Sequence, residues 1–183
     1  MSDNEKQENF LALFEPISDK LFMYALALEK DSDNAQDLVG DTILACYEKF
    51  ESLRDPAGFK GYVFKTARSI FRRKYSRLRI FAKWDYAQQD NIKANLVQPD
   101  LPIDIEFLYQ ALDQLPEKQK EVVVLFEISG FSLNEICEIQ GASLSSVKSR
   151  AKRGREKLTE LMIETENKKN KEYNFQHSAM MIQ

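Results

Sequence analysis

The chain has 183 residues, of which 43% are hydrophobic and 30% charged, and its formal net charge is −3. This length suits one domain or two small ones. No apolar run approaches the roughly 20 residues that a membrane-spanning helix needs, and the acidic start "MSDNEKQENF" is unlike a secretory signal. Cys46 and Cys137 belong to no CxxC or Cys/His cluster, so we expect both to be small buried residues. These features favour a soluble, cytoplasmic protein that uses no metal or other cofactor.

Positive charge is concentrated in two segments of an otherwise acidic chain. Residues 60–83 contain nine basic and no acidic side chains, and residues 146–183 contain nine basic and five acidic ones. Residues 1–55 hold 13 acidic and 5 basic side chains, and residues 85–145 hold 11 and 3, so each balances at −8. This layout favours local contact with a polyanion while the acidic surface stays solvated or meets another protein. A merely solvated surface is the alternative, and it explains the segment 60–83 poorly.

The first half of the chain predicts two long amphipathic helices. In "NAQDLVGDTILACYEKF" apolar residues recur at spacings of three and four, which is the period of one helix face. The members of this stripe are Ala35, Leu38, Val39, Ile43, Cys46 and Phe50. Asp31, Ser32 and Asp33 each offer an N-cap before it. The sequence "PAGF" at 56–59 then breaks the chain before the second, basic helix begins.

A change of pattern divides the chain into two units. Segment 85–106 loses any periodicity and contains two prolines, so it predicts a linker. The run "VVVLF" that follows is compatible with a buried strand, but the uninterrupted stretch around it favours a helix. The predicted fold class is all-α, with two small helical domains at 1–84 and 107–163 joined by a flexible linker. The weak periodicity of residues 164–183 indicates a frayed tail.

The stretch "SLNEICEIQGASLSSVKSRAKRGREKL" predicts a helix-turn-helix. Ser132 and Glu135 form an S-x-x-E capping box at the start of its first helix. Gly141 provides the positive φ needed to leave that helix, and Ser143 caps the next one. The second helix of such a motif can lie in the major groove of duplex DNA. Its outward positions are Ser145, Ser146, Lys148, Ser149, Arg150, Lys152 and Arg153.

These outward side chains have the chemistry of duplex recognition. Hydroxyl and amine groups at the start of the helix can contact bases and phosphates, and arginine pairs bidentately with guanine. The alternative is an ordinary helical hairpin with a basic, solvent-facing side. The serine-rich start argues against this alternative, because serine adds little to helix stability but suits contact with a groove.

Two long segments resemble bacterial sigma factors of the sigma-70 family. The run "ALDQLPEKQKEVVVLFEISGFSLNEICEIQGASLSSVKSRAKRGREKL", within residues 107–161, is similar to their C-terminal promoter-binding domain. The run "AQDLVGDTILACYEKF", followed by "FKGYVFKTARSIFRRKYSR" within residues 10–80, is similar to their N-terminal domain. Two domains in this order with no third domain between them resemble the extracytoplasmic-function (ECF) group. The resemblance implies a factor that binds core RNA polymerase and directs it to promoters for transcription initiation.

The resemblance also implies a polymerase-docking surface on the helix at 34–50. In the family this helix docks on a coiled coil of the largest polymerase subunit, and Asp37, Leu38 and Asp41 occupy the matching positions. Gly40 stands where the family commonly has Gln, which removes one contact and costs about 1 kcal/mol of helix stability relative to Ala. The β flap of the polymerase, promoter DNA and an anti-sigma factor are the further partners that the resemblance suggests, and we expect no membrane insertion.

The resemblance divides promoter recognition between the two units. The helix-turn-helix would read the −35 element as duplex, and the loop at 51–58 with the basic helix after it would handle the −10 element as its strands separate. The residues implied at −10 are Ser52, Leu53, Arg54, Asp55, Lys65, Arg68, Arg72 and Arg73. The first four would line a pocket for an extruded base, for which a plain connecting loop is the alternative. Tyr62, Phe64 and Tyr75 offer faces for stacking on unpaired bases, for which core packing is the alternative.

Two other functional classes are weaker explanations of the sequence. A stand-alone helix-turn-helix regulator would explain residues 107–161 but leaves the basic N-terminal helix without a function. An enzyme is disfavoured, because the single histidine, His177, lies in the tail and no Ser/His/Asp or metal-ligand spacing appears. Asp37 and Asp41 could instead bind a cation as i,i+4 carboxylates, but two ligands alone make a poor site. We therefore expect a non-enzymatic transcription factor.

Overall fold

All regular secondary structure in the described part of the chain is helical. The computed structural model describes residues 2–53, 55–82 and 103–180, and every regular element within these ranges is helical. The α-helices are α1 (Asp3–Phe14), α2 (Ser18–Glu29), α3 (Ser32–Glu48), α4 (Phe59–Ala82), α5 (Ile103–Asp113), α6 (Glu117–Val123), α7 (Leu133–Gln140) and α8 (Leu144–Met180). Short 3₁₀ turns cover Glu15–Ile17, Phe50–Ser52 and Pro56–Gly58, and a π-helical turn covers Val124–Ile128. The predicted all-α fold class is confirmed.

Helices α1 to α4 form an N-terminal unit whose helix starts are fixed by local caps. Ser2 and Glu5 form a capping box at the start of α1. The Asp31 carboxylate accepts a 2.9 Å hydrogen bond from a backbone N–H in the first turn of α3, as its position predicted. Helix α3 packs against both α2 and α4. The rings of Phe10 and Phe59 meet edge to face at 5.5 Å and join α1 to the start of α4.

Helices α5 to α8 form a C-terminal unit in which α8 packs along α5, α6 and α7. The approach of α8 to α6 depends on Gly154, because a Cβ there would lie only 2.7 Å from Val123 Cγ2 and 3.3 Å from the Gln119 carbonyl oxygen. The "VVVLF" run lies in α6 and the π-helical turn after it. The helical interpretation of this run is therefore confirmed, and the strand alternative is wrong.

The helix-turn-helix is built as the sequence predicted. At the start of α7 the Ser132 hydroxyl accepts a bond from the Glu135 N–H, and the Glu135 carboxylate accepts one from the Ser132 N–H, which completes the capping box. Gly141 ends α7 in the left-handed region, with φ of 62°. The Ser143 hydroxyl accepts a bond from the Ser146 N–H at the start of α8. Helices α7 and α8 then pack directly on each other, so α8 is the second helix of the motif.

Two predicted boundaries need correction. The linker was expected to reach residue 106, but α5 already begins at Ile103; residues 83–102 lie outside the described part. The tail was expected to be frayed from residue 164, but α8 continues as one helix to Met180. Both errors have the same cause. The two segments have weak apolar periodicity, so the sequence pattern does not indicate a helix, but their residues can extend an adjacent helix once it has formed.

The two units pack against each other and share one buried core. Helix α2 contacts α5, α6 and the π-helical turn, and α4 contacts α7. The rings of Phe64 from α4 and Phe131 from the C-terminal unit meet at 4.8 Å and 74° between planes. The Tyr109 hydroxyl of α5 donates a 3.0 Å bond to the Met23 carbonyl oxygen of α2. The described chain is thus closed on itself rather than extended.

Candidate polymerase and nucleic-acid interfaces

The outward face of α3 presents carboxylates around an apolar side chain. Asp37 and Asp41 are exposed, as the docking hypothesis requires. Leu38 is only 3% exposed and lies in the core, so it is not part of this outward face. Leu44, which is 59% exposed, is instead the large apolar side chain on this face.

Helix geometry explains the exchange of Leu38 for Leu44. Positions 37, 41 and 44 are spaced i, i+4 and i+7 and therefore share one face. Leu38 lies about 100° away from Asp37 around the helix axis, so it points to another side. Leu38 is buried with Thr42 and Cys46 on the opposite side. The signal was present in the sequence, because Leu44 is a large apolar residue that stands outside the predicted buried stripe.

The 51–58 loop is tied down at both ends by its own hydrogen bonds. The Ser52 hydroxyl donates a 2.6 Å bond to the Lys49 carbonyl oxygen, and the Asp55 carboxylate accepts a 2.9 Å bond from the Ala57 N–H. Arg54 lies outside the described residues. Leu53 lines a groove of about 420 Å³, whose remaining lining residues are Asn9, Ala12, Leu13, Phe50, Glu51 and Pro56. Of the four loop residues predicted to line a base pocket, Leu53 lines this groove, beside side chains of α1 that the sequence did not suggest.

The basic face of α4 borders a cleft between the two units. Lys65, Arg72 and Arg73 are exposed and line a space of about 530 Å³ that is closed on its other side by the end of α7 and Gly141. Arg68 lines the same cleft but differs from them, because its Nε lies 2.6 Å from the Glu121 carboxylate of α6. Three of the four predicted α4 cations are thus exposed, and the fourth is paired with a carboxylate of the C-terminal unit.

The three aromatic residues of α4 have different environments. Phe64 is fully buried against Phe131, so it belongs to the core and cannot stack on a base. Tyr75 is partly exposed and donates a 2.8 Å bond to the Glu29 carboxylate. Burial, with the bond to Glu29, raises the pKa of Tyr75. Tyr62 is half-buried and lies nearer the loop.

The start of α8 exposes most of the predicted duplex-reading residues. Ser145, Lys148, Lys152 and Arg153 are exposed, while Ser146 and Ser149 are half-buried. Arg150 is half-buried, and its Nη1 donates a 2.7 Å bond to the Gln140 side-chain oxygen at the end of α7. Lys152 approaches Glu156 at 3.9 Å, a contact that stabilises little because both side chains are well exposed.

A buried carboxylate that no sequence pattern indicated links these surfaces. Glu121 accepts bonds from the Tyr24 hydroxyl at 2.9 Å, from Arg68 Nε at 2.6 Å and from Gln140 Nε2 at 2.6 Å. Burial, followed by the charge of Glu121, raises the pKa of Tyr24 well above its usual value. Tyr24 thus remains a neutral hydrogen-bond donor.

A lysine provides a second polar contact between the units. Lys60 Nζ donates to the carbonyl oxygens of Ser129 and Gly130, at 2.7 and 3.3 Å, and lies 4.0 Å from the Phe131 ring centroid. Burial, with the nearby charge of Lys20, lowers the pKa of Lys60. The carbonyl groups after the π-helical turn therefore hold a cation that comes from α4.

Each of the two units matches a known protein family. The family model for Sigma-70 region 2 matches residues 13–80, and the model for Sigma-70, region 4 matches residues 106–158. The first match contains α3, the loop and most of α4, and the second contains the helix-turn-helix. A stand-alone regulator is not favoured, because region 2 accounts for the basic N-terminal helix that such a regulator leaves unexplained.

Individual relatives show which group of sigma factors the chain resembles. The chain is 31% identical over 141 residues to the ECF RNA polymerase sigma factor EcfG of Rhodopseudomonas palustris, covering 76% of this chain and 77% of that protein. It is 25% identical over 156 residues to the ECF sigma factor SigX of Bacillus subtilis, with 81% and 80% covered. The chain belongs to the ECF group of sigma factors, which bind core RNA polymerase and direct it to promoters.

Solved structures share the fold. The sigma factor RpoE of Bartonella quintana, crystallised with the anti-sigma factor NepR, matches with a TM-score of 0.70 and 28% identity over 88% of this chain and 98% of that chain. The structure of CnrH in complex with the cytosolic domain of CnrY matches with a TM-score of 0.61 and 22% identity over 85% of this chain and 88% of that chain, which supports the fold alone. Within the ranges that the structure describes, no helix is long and apolar enough to cross a membrane.

Proposed function

We propose that this sigma factor performs promoter-dependent initiation through three separate surfaces. The outward face of α3, with Asp37, Asp41 and Leu44, docks on the coiled coil of the largest polymerase subunit. The 51–58 loop and the basic face of α4 handle the −10 element, and the start of α8 reads the −35 element. The observation that supports this division best is the capped helix-turn-helix, whose second helix exposes hydroxyl and amine groups over its first turns.

We further propose that the chain acts in the bacterial cytoplasm without catalytic activity of its own. Its working units are residues 1–82 and 103–163, with 83–102 as the linker and 164–183 as a C-terminal extension. Since the structural relative RpoE was crystallised with the anti-sigma factor NepR, we extend such a partner to this chain. The polymerase β flap is the proposed contact of the C-terminal unit.

Reconstitution with bacterial core polymerase tests the function as a whole. Run-off transcription from a library of promoter fragments should give discrete transcripts only when the chain is present. The matched control is the chain with both Asp37→Ala and Asp41→Ala, which should lose most of this activity while keeping its helical circular dichroism. Equal transcript patterns with and without the chain would contradict the proposal.

The −35 assignment makes a specific prediction for two neighbouring cations. Arg150→Ala should cost about 1–3 kcal/mol of binding and relax preference at one position, if Arg150 leaves Gln140 and pairs with a base. Lys152→Ala should weaken binding to all sequences alike, because its contact is with phosphate. A −35 mutation scan by transcription measures both. The same base profile for Arg150→Ala and the parent chain would refute base reading by Arg150.

The −10 assignment predicts that the loop carries base preference. Exchange of residues 52–57 for the loop of another ECF sigma factor should transfer −10 preference and leave −35 preference unchanged, because the two surfaces lie on different units. Transcription from a promoter library randomised across the −10 element provides the measurement. If the chimera and its parent select the same bases, the loop is a connector and the preference originates on α4.

A further inference from the structure

The ring of Tyr75 lies beside the cations proposed for the −10 element. Tyr75 follows Arg72 by three positions on α4, so the two side chains are neighbours on the helix surface. Both line a cleft of about 520 Å³, and Tyr75 is 36% exposed. An aromatic ring next to a guanidinium group suits an unpaired nucleotide, because the base can stack on the ring while the cation meets the phosphate.

Two contacts hold the Tyr75 ring in one orientation. The Phe71 ring, one turn earlier on α4, has its centroid 4.5 Å away and is tilted by 46°. The Tyr75 hydroxyl donates a 2.8 Å hydrogen bond to Glu29 Oε2, in the last turn of α2. A tyrosine side chain has few rotatable bonds, so these contacts fix the plane of its ring. A ring that is already ordered loses less entropy when a base binds to it.

A hydrogen-bond network from three helices holds the Glu29 carboxylate in turn. The Glu29 side chain has an exposure of 0%. Its Oε1 accepts a 3.1 Å bond from Lys74 Nζ, which also donates a 3.2 Å bond to Asn34 Oδ1. The Asn34 amide donates a 2.9 Å bond to Asp31, the N-cap of α3. The acceptor for Tyr75 is therefore fixed relative to α2, α3 and α4.

We propose that Glu29 is a positioning residue that holds the Tyr75 ring as a stacking surface for an unpaired base of the −10 element. The proposal rests on the proposed role of α4 at −10 and adds a residue that does not itself touch DNA. A buried carboxylate costs stability unless it is paired, and an apolar side chain could fill the same space without that cost. Only a polar side chain at this point supplies an acceptor that fixes the Tyr75 hydroxyl.

The alternative is that Glu29 only stabilises the N-terminal unit. Its bonds to Lys74 and Tyr75 join α2 to α4, so its loss should lower the free energy of unfolding under either explanation. Stability therefore does not distinguish the two explanations. The test needs a signal from the stacked base itself.

The experiment uses holoenzyme, with the full chain bound to bacterial core polymerase. The probe is a forked promoter DNA whose non-template strand is unpaired across the −10 element and carries a fluorescent purine analogue at one position at a time. Stacking on an aromatic ring quenches the fluorescence of this analogue. We expect the wild-type chain to quench it at one unpaired position, which then serves for all variants.

Four substitutions separate the ring, its hydrogen bond and the charge of Glu29. Tyr75→Leu should abolish the quenching and weaken binding of the forked DNA about tenfold, within the range for one stacked base. Tyr75→Phe and Glu29→Ala each remove the hydrogen bond but keep the ring. Each should lose part of the quenching and weaken binding about threefold, because the base must then order the side chain. Glu29→Gln should keep the quenching, because an amide bonds to a hydroxyl with either its oxygen or its nitrogen.

Tyr109→Phe is the matched control for loss of a tyrosine hydroxyl. It removes the 3.0 Å bond to the Met23 carbonyl oxygen, but Tyr109 lies on α5, outside the proposed −10 surface. This variant should quench the analogue and bind the forked DNA as the wild type does. Thermal melts followed by circular dichroism report the stability of every variant.

The outcomes test the ring and its positioning separately. Absence of quenching by the wild type at every unpaired position, or unchanged quenching in Tyr75→Leu, overturns the proposal because the base then stacks elsewhere. Full quenching in Tyr75→Phe or Glu29→Ala overturns it as well, since the hydroxyl bond is then not needed. An equal loss in Glu29→Gln and Glu29→Ala, or in Tyr109→Phe and Tyr75→Phe, would show a general effect of charge or stability and also overturns it.

Two further points keep the result decisive. If Glu29→Ala does not fold, Tyr75→Phe removes the same bond from the other side and decides alone. Run-off transcription with the same holoenzyme tests the proposed function independently. Discrete promoter-dependent transcripts with unchanged quenching in the variants would remove only the role of Glu29, whereas absence of such transcripts with the wild type would remove the proposed function.

Discussion

Helices α3 and α4 are neighbours in sequence and in space, yet their charged faces differ in exposure to solvent. The acidic face of α3, with Asp37 and Asp41, points away from the C-terminal unit and is exposed. The basic face of α4 borders the cleft between the units, and Arg68 on it is paired with Glu121. An amphipathic pattern thus identifies a polar face without revealing whether another unit covers it.

This difference separates the two proposed surfaces. The proposed polymerase-docking face of α3 is exposed, whereas part of the proposed DNA surface on α4 is occupied by Glu121 of the C-terminal unit.

The largest predicted effect comes from replacing one leucine on each face of α3 with alanine. The two variants should differ in stability and in polymerase binding. Leu38→Ala should lower the free energy of unfolding by about 2–5 kcal/mol, because it opens a cavity in the core. Leu44→Ala should leave unfolding nearly unchanged but weaken core-polymerase binding by about 2 kcal/mol, the cost of an interface anchor. Urea denaturation and a polymerase titration measure the two quantities. Equal unfolding midpoints for both variants would place Leu38 on the surface.

The next prediction compares a helical glycine in each unit. Gly154→Ala should destabilise the chain by about 1–3 kcal/mol, because the new methyl group meets Val123 and the Gln119 backbone at the close approach of α6 and α8. Gly40→Ala should stabilise it by about 1 kcal/mol, because no atom lies within 4 Å of a Cβ there and alanine favours the helix. Thermal unfolding measures both. A loss of stability in Gly40→Ala would contradict the open surface described for α3.

The smallest prediction concerns individual cations of α4. Arg72→Ala should weaken binding to DNA of any sequence and reduce the slope of log affinity against log salt by about one, because one phosphate contact is lost. Lys74→Ala is the control on the same helix, since its amine is paired at 3.1 Å with Glu29, away from the cleft. Fluorescence titrations at several salt concentrations provide both slopes. Equal slopes for the two variants would contradict a DNA surface centred on the cleft.

Local interactions explain most of what could be predicted. The capping box of Ser132 and Glu135 and the left-handed turn at Gly141 involve residues close in sequence, so composition and spacing determine them. The same holds for the Asp31 cap of α3 and for the helical period of its buried stripe. The predicted positions of these features are confirmed because their partners lie within one or two turns of chain.

Features that depend on distant partners could not be predicted. Glu121 resembles any carboxylate on a helix until Tyr24 and Arg68, 97 and 53 residues away, are brought to it. Phe64 has the sequence context of a base-stacking residue, and only the arrival of Phe131 buries it. The sequence by itself determined the helices, their caps and the helix-turn-helix, because those depend on backbone bonds and apolar spacing within a few turns. The tertiary structure alone decided which cations stay free, because that depends on how two amphipathic units bury their remaining surfaces against each other.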